Sequence, residues 1–499
     1  MKKKLLILAL FGSIITMPRI CCAQWFYGTS FDSLSSGMTS PGVYVLSLAM
    51  KDSSQNSHLY AGGHFAIAGR KSAINIAEWI DTVFSQGGPQ IGKWEPLGTG
   101  TDSDVFALAM FGKYLYAGGK FDSAGGILCT HIARWDTALL RWDSLVGKLN
   151  GNVYALCVFS NKLYAGGDFT IANGDTVNRI AVWNDSAWAP VGKGFDTGAV
   201  YALTVSNDTL YAGGSFLKSG NLAVNHIAKL SGNKWDSLGG GTNNTVYALS
   251  DYTMGQELMV GGAFTKSGNV NTRYLSYFEE YAQSWNGFTP GVNDTVRALN
   301  AGWGLWGETV RKTGQGIGGG DIVLVGGNFD SAGYYSSHYI AGIIGNTLDT
   351  VGMLNGPVYA LANPYNSLFA SGDNYVGGKF SFAENRFSFN GGTAVNNVAY
   401  LYILLGGGIQ SLSNNGSISV YPNPSTGQFN FSIASGVQPQ SQITLEIYTV
   451  LGEMVYRSQS INHSSFSIDL NSQPNGVYFY RLVNTDEGLI GEGKLVIGK

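Results

Sequence analysis

Residues 153–169 read VYALCVFSNKLYAGGDF: an apolar run, a polar Ser-Asn pair, a second apolar run, two glycines, one variable residue and a Phe. The second half of this phrase returns as LYAGGHF (59–65), LYAGGKF (115–121), LYAGGSF (210–216), LMVGGAF (258–264), LVGGNF (324–329) and YVGGKF (375–380). The first half precedes each of them, as VYVL (43–46), VFAL (105–108), VYAL (200–203), VYAL (246–249), VRAL (296–299) and VYAL (358–361). Both halves occur seven times in step; compact units run 46 to 50 residues and two are stretched to 62. Each unit adds a third element, as in NIAEW (75–79), HIARW (131–135), RIAVW (179–183) and HIAKL (226–230). A fourth follows, as in WEPLG (94–98), WDSLVG (142–147), WAPVG (188–192) and WDSLGG (235–240).

Each element is a short β-branched or aromatic run bounded by Gly, Asn, Asp and Ser, the pattern of strands and turns. Four strands per unit at a near-constant period predict an all-β, seven-bladed β-propeller over residues 24–408. Innermost strands crowd an axis, which accounts for the small Ala107, Ala155, Ala202, Ala248, Ala298 and Ala360 in the first element. The glycine pair suits close backbone approach or a bulge. It does not suit a phosphate cradle, because no helix and no Lys-Ser/Thr follow. Unit seven ends near residue 408 without a fourth phrase, whereas FDSLSSG (31–37) is such a phrase with Phe31 in the Trp place. The N-terminal segment is therefore expected to supply the outermost strand of blade seven, pairing with 397–405 and closing the circle.

These repeats resemble kelch-like propellers, and more closely the LYVGG.F…IA.W…W..LG.G repeats of secreted bacterial surface propellers. The resemblance covers roughly residues 25–408 and implies architecture rather than activity, since such folds host many functions.

After Gly408 a Ser/Asn-rich linker (409–417) leads into a different grammar. VYPNPSTGQFNFSI (420–433), LEIYTVLGEMVYR (445–457), FSIDLNSQPNGVYFYRL (466–482) and GKLVIGK (493–499) alternate apolar and polar residues between turns. They predict about seven strands in residues 418–499, a small Ig-like β-sandwich. The four blocks resemble the C-terminal sorting domain of the type IX secretion system of Bacteroidota. That resemblance implies export through the periplasm to the outer-membrane surface or medium of a Gram-negative bacterium, with the type IX machinery as partner. It also implies removal of the domain and either attachment to surface lipopolysaccharide or release.

Composition agrees with an exported β protein. Charged residues are 13% of 499, against about 25% in typical domains, while Gly contributes 70 residues and aromatics 13%. A net charge of −3 offers no general attraction for nucleic acid or anionic lipid, so neither partner is expected. Lys2, Lys3 and Lys4, the apolar run LLILALFGSIITM and the small residues before Gln24 form a signal peptide (1–23) cleaved between Ala23 and Gln24. Arg19 argues against lipidation at Cys21 or Cys22. Cys129 and Cys157 remain and are expected as free buried thiols. No later run reaches spanning length, and a monomer is expected.

Catalytic signatures are sparse. HExxH, GxSxG and Cys-His arrangements are missing from the sequence. His131 and His226 share one repeat position with Asn75 and Arg179, which reads as a tolerant polar site rather than a metal ligand. No cofactor is expected; a structural Ca²⁺ has no loop motif to hold it. Carboxylates from adjacent blades could still meet, so a polysaccharide-active hydrolase or lyase is the alternative to a binding or adhesion-type protein. Two groups could bind a glycan or protein ligand. Asp104, Asn152, Asn244, Asn293, Asp294 and Asn355 lie in loops expected at one channel mouth, where Asx turns are their simpler role. Trp303, Trp306, Arg311 and Lys312 lie in a long glycine-rich loop on the opposite face, with Tyr365 expected beside them. Asp-Ser/Thr-aliphatic triplets such as Asp122-Ser123-Ala124 resemble the O-glycosylation sequon of exported Bacteroidota proteins.

Overall fold

The computed structural model describes residues 26–51, 58–83, 91–252, 257–302, 322–344, 347–363, 373–384, 393–405, 418–433, 443–449, 454–458, 465–484 and 489–498. The chain divides into two compact units, Met1–Gly406 and Gly407–Lys499. Every regular element among the described residues is a strand.

Among its described residues the first unit has seven four-stranded antiparallel sheets, numbered one to seven by their first strands Tyr44–Lys51, Val105–Phe111, Val153–Phe159, Val200–Ser206, Val246–Tyr252, Val296–Gly302 and Val358–Ala362. Sheet three is representative: Val153–Phe159, Lys162–Gly167, Ile180–Trp183 and Trp188–Pro190 pair in chain order. The glycine pair explains how the sheets stack. A Cβ on Gly166 would lie 2.5 Å from Val200 Cγ1, in the first strand of sheet four. The same approach recurs from Gly62 to Val105, Gly118 to Val153, Gly213 to Val246, Gly261 to Val296 and Gly326 to Val358. It ends with Gly377 against Val45, so the last sheet packs on the first and the ring closes. Apolar clusters fill each junction; that between sheets seven and one joins Val398 and Tyr400 to Val45, Leu59 and Trp79.

This geometry corrects the repeat register in unit one. Val45 occupies the place that Val105 and Val153 hold elsewhere, with Ser47 in the small-residue position. The repeated phrase is thus VLSL (45–48) rather than VYVL (43–46). The stretch VYVLSL contains two overlapping V-x-x-L readings, and contact with a neighbouring sheet selects the second.

Third and fourth strands meet through paired aromatics: Trp79 lies opposite Trp94, Trp135 opposite Trp142, and Trp183 opposite Trp188. Several fourth-strand indoles donate to a carbonyl just after the fourth strand of the preceding sheet. Trp142 bonds Leu97 O at 2.8 Å, Trp235 bonds Val191 O at 3.0 Å and Trp285 bonds Leu238 O at 3.1 Å.

The N-terminus completes sheet seven. Phe26–Ser33 pairs antiparallel with Val398–Leu405, with Phe31 opposite Leu401 as Trp142 is opposite Trp135. The strand lies somewhat earlier than FDSLSSG, and Leu34 already occupies the following turn. Trp94 of sheet one donates to Leu34 O at 3.0 Å, which extends the indole pattern across the join. Asn396 and Asn397 add bonds to Ser36 O, Met38 N and Met38 O.

The second unit has two antiparallel sheets, one of three strands and one of four. Phe429, Phe431 and Ile468 of the first pack with Leu445, Ile447, Tyr480, Leu482 and Leu495 of the second.

Candidate functional site

In all seven sheets the ladder between first and second strands slips by one residue. In sheet two, Val105 pairs with Gly119 and Ala107 with Gly118, which leaves Phe106 without an opposite residue. A bulge of this kind re-aims a side chain out of the alternating pattern. The second glycine permits it: a Cβ on Gly119 would sit 2.1 Å from Asp104 O.

The seven bulged residues are Leu46, Phe106, Tyr154, Tyr201, Tyr247, Arg297 and Tyr359, all half-buried. First strands of neighbouring sheets touch around the ring, so these side chains meet in series along its inner edge. Phe106 stacks on Tyr154 with centroids 5.3 Å apart. Tyr154 and Tyr201 follow at 5.2 Å, then Tyr201 and Tyr247 at 5.4 Å. The Arg297 guanidinium lies 4.3 Å from the Tyr247 ring centre. Burial raises the Tyr359 phenol and the nearby Arg297 charge opposes that rise. The result is an aromatic belt with one cation in it.

Polar groups flank the belt. They come from the residue before each first-strand valine and from the variable residue between the glycines and Phe. Asp104 accepts from the Tyr44 hydroxyl at 3.0 Å and lies 2.7 Å from His64 Nδ1, while the Tyr44 and His64 rings stack at 5.3 Å. Burial, then the bond to Asp104, pushes the Tyr44 phenol up to about 12. In sheet three, Asp168 accepts from Asn152 N at 2.6 Å, Asn152 Nδ2 at 3.0 Å and the Tyr154 hydroxyl at 2.9 Å. Burial and then Asp168 raise the Tyr154 phenol to about 12.

Of the residues singled out in the sequence, Asp104 and Asn152 belong to this polar rim. Asn244 and Asp294 do not: both are exposed and bond the N–H of the next residue. Asn293 and Asn355 brace the fold instead. Asn293 Oδ1 accepts from Asp330 N and Ser331 N, and Asn355 Oδ1 from Ser381 N and Phe382 N. Asp102, Asn150, Asp196 and Asn243 perform the same two-bond brace in their sheets. Two of the six expected ligand groups, Asn293 and Asn355, therefore hold the hairpin after their GG.F phrases. Trp303, Trp306, Arg311, Lys312 and Tyr365 lie outside the described residues, as do Ala23 and Gln24.

The position shared by His131 and His226 is not merely tolerant. Asn75, His131, Arg179, His226, Tyr274, Tyr339 and Asn397 all have φ between 63° and 73° there. In sheet two, His131 N donates to Phe121 O and His131 O accepts from Gly119 N. Cys129 and Cys157 are free, and burial raises both thiols to about 12. Sequence reasoning missed the belt. Its signal was the second letter of V-x-A-L, aromatic in five of the seven sheets once unit one is read in register.

Two family models match the chain. The secretion system C-terminal sorting domain matches residues 419–497, and the Rax2 C-terminal beta propeller domain matches residues 93–245. No curated protein matches. Among solved structures, the extracellular domain of the one component system BT4673 from B. thetaiotaomicron has 11% identity and a TM-score of 0.43 over 94% of this chain. That of the hybrid two component system BT3049 from the same organism has 11% identity and a TM-score of 0.43, also over 94%. This chain spans 58% and 57% of their lengths. PorZ, a surface component of the type-IX secretion system of Porphyromonas gingivalis, has 11% identity and a TM-score of 0.24 over 90% of this chain and 75% of its own. The all-β sheets, the propeller match and the sorting-domain match together describe an exported β-propeller protein with a type IX sorting tail, which indicates the cell surface or extracellular space of Bacteroidota.

Proposed function

We propose that this protein is a seven-bladed propeller with a cleavable signal peptide and a sorting sandwich, and that it binds a glycan at the inner edge of its ring. The cyclic succession of glycine–valine contacts supports the blade count. The observation that carries the binding reading is the belt of Phe106, Tyr154, Tyr201, Tyr247 and Tyr359 on serial bulges. Aromatic faces offer large contact area at low entropic cost and suit the apolar faces of sugar rings. Hydroxyls and carboxylates at the rim supply the directional bonds that fix orientation.

The test is a glycan screen with the secreted protein, followed by titration of the best hit against Tyr154→Ala plus Tyr201→Ala. Loss of at least tenfold in affinity is expected. A blank screen, or a hit bound equally by the double variant, refutes the reading. The sorting role has its own test. Deleting residues 413–499 should leave the propeller inside the cell envelope, and unchanged appearance at the surface or in the medium would count against it.

One cluster favours the enzymatic alternative. A phenol and an imidazole share Asp104, an arrangement able to hold and move a proton. Release of reducing or unsaturated ends from a polysaccharide, abolished by His64→Ala, would establish it.

A further inference from the structure

We infer that the ligand carries an anionic group, a carboxylate or sulfate on a sugar, and that Arg297 receives it. This deepens the binding reading and rests on it. Six sister positions on the bulges hold Leu46, Phe106, Tyr154, Tyr201, Tyr247 and Tyr359; sheet six alone places a charge there. The Arg297 guanidinium is held over Tyr247, but its Nε is buried and has no hydrogen-bond partner. No carboxylate pairs with Arg297 among the described residues. A buried guanidinium N–H left without an acceptor is costly, and a guanidinium pairs strongly with a planar anion in a fork geometry.

A second observation points the same way. Asn328 is the variable residue between the glycines and Phe of sheet six, the place Asp168 holds in sheet three. Asn328 N donates to Thr295 O at 2.9 Å, as Asp168 N does to Asn152 O at 3.2 Å. In sheet three that side chain accepts from the bulged Tyr154 hydroxyl. Sheet six has a neutral amide at this place, so no carboxylate there repels an incoming anion, and its buried Oδ1, without a partner, can accept from a ligand hydroxyl. Asn300 Nδ2, on the same first strand, is buried and unpartnered as well. The rim is therefore asymmetric. The acids of sheets two and three are satisfied by Tyr44, His64, Asn152 and Tyr154, whereas the cation of sheet six is not. Lys379, at the same variable position in sheet seven, is exposed and positively charged, as is Lys120 in sheet two. Sheet six thus sets a cation where five sister sheets set an aromatic, with a neutral amide rather than a carboxylate at the variable position.

The experiment compares dextran, carboxymethyl-dextran and dextran sulfate, one backbone with neutral, carboxylate and sulfate groups. Each is titrated against the full secreted chain and against Arg297→Tyr, which restores the sister residue and so preserves packing. The native chain should bind at least one charged polymer tenfold or more tightly than dextran, with affinity falling as salt rises. Arg297→Tyr should reduce that preference to less than threefold. Arg297→Lys should retain part of it. The carboxylate and sulfate arms identify the group. An unchanged preference in Arg297→Tyr, or no preference in the native chain, overturns the inference. Either result leaves the glycan reading standing, because that reading falls on the blank screen or on the Tyr154 and Tyr201 variants.

Discussion

The ring-closing contact can be tested by a double-mutant cycle at Gly377 and Val45. A Cβ at Gly377 would lie 2.7 Å from Val45 Cγ1, 3.2 Å from Val45 Cβ and 3.4 Å from Leu48 Cδ1. Ordinary carbon contacts are about 3.5–4.0 Å, so Gly377→Ala forces sheets seven and one apart locally, at about 1–3 kcal/mol. Reduced freedom of the unfolded chain returns about 0.4–1 kcal/mol, which leaves a net loss of about 0.5–2 kcal/mol. Val45 is fully buried, and Val45→Ala removes two carbons worth about 0.8 kcal/mol each plus a cavity term, roughly 2–3 kcal/mol. In the double variant the clashing Cγ1 is gone and the new methyl partly fills the space. The two losses should therefore fall short of additivity by about 1–2 kcal/mol. Urea unfolding followed through tryptophan emission measures the cycle, since Trp79 and Trp94 lie in sheet one. Gly166 and Val200, where an added Cβ would lie 2.5 Å from Val200 Cγ1, form the matched control within the ring and should couple similarly. Additivity at Gly377–Val45 with coupling at Gly166–Val200 would show that sheet seven does not close on sheet one.

Three further outcomes are expected. Removing residues 26–37 exposes Val398–Leu405 as an apolar edge strand, so the melting temperature should drop and aggregation should appear in light scattering; an unchanged melting curve would contradict the closure. Asn150→Ala removes the acceptor for Thr170 N and Ile171 N, at 2.7 and 2.8 Å; it should cost about 1 kcal/mol and make the adjoining hairpin the first site of limited proteolysis. The bond from Lys113 holds the Asp136 carboxyl down at about 2, assisted by Leu139 N and Ala138 N. Because the folded pKa is depressed, this stabilisation is complete above the ordinary value of about 3.9 and is lost as pH falls towards 2. The melting-temperature gap between the native chain and Asp136→Asn should therefore shrink across that window, and a constant gap would remove Asp136 from acid unfolding.

The repeat makes much of this legible before any coordinates. V-x-A-L, GG.F, IA.W and W..LG each carry their strand type in short-range alternation and turn residues, which are local properties. FDSLSSG could be assigned to the last sheet because a missing phrase and a surplus phrase match in kind. The sorting blocks were likewise readable as a second unit.

Tertiary contacts decided the rest. Nothing local distinguishes Val43 from Val45, and contact with Gly377 does. Asp104 and Asp102 look alike as loop acids, yet one accepts from Tyr44 across two sheets and the other braces its own hairpin. The belt depends on a one-residue slip between paired strands, which no periodicity reveals because the slip is a property of the pair. Sequence alone determined which strands exist and in what order they recur. The folded ring determined which side chains face the inner edge, because that direction is set by the bulge and by the neighbouring sheet.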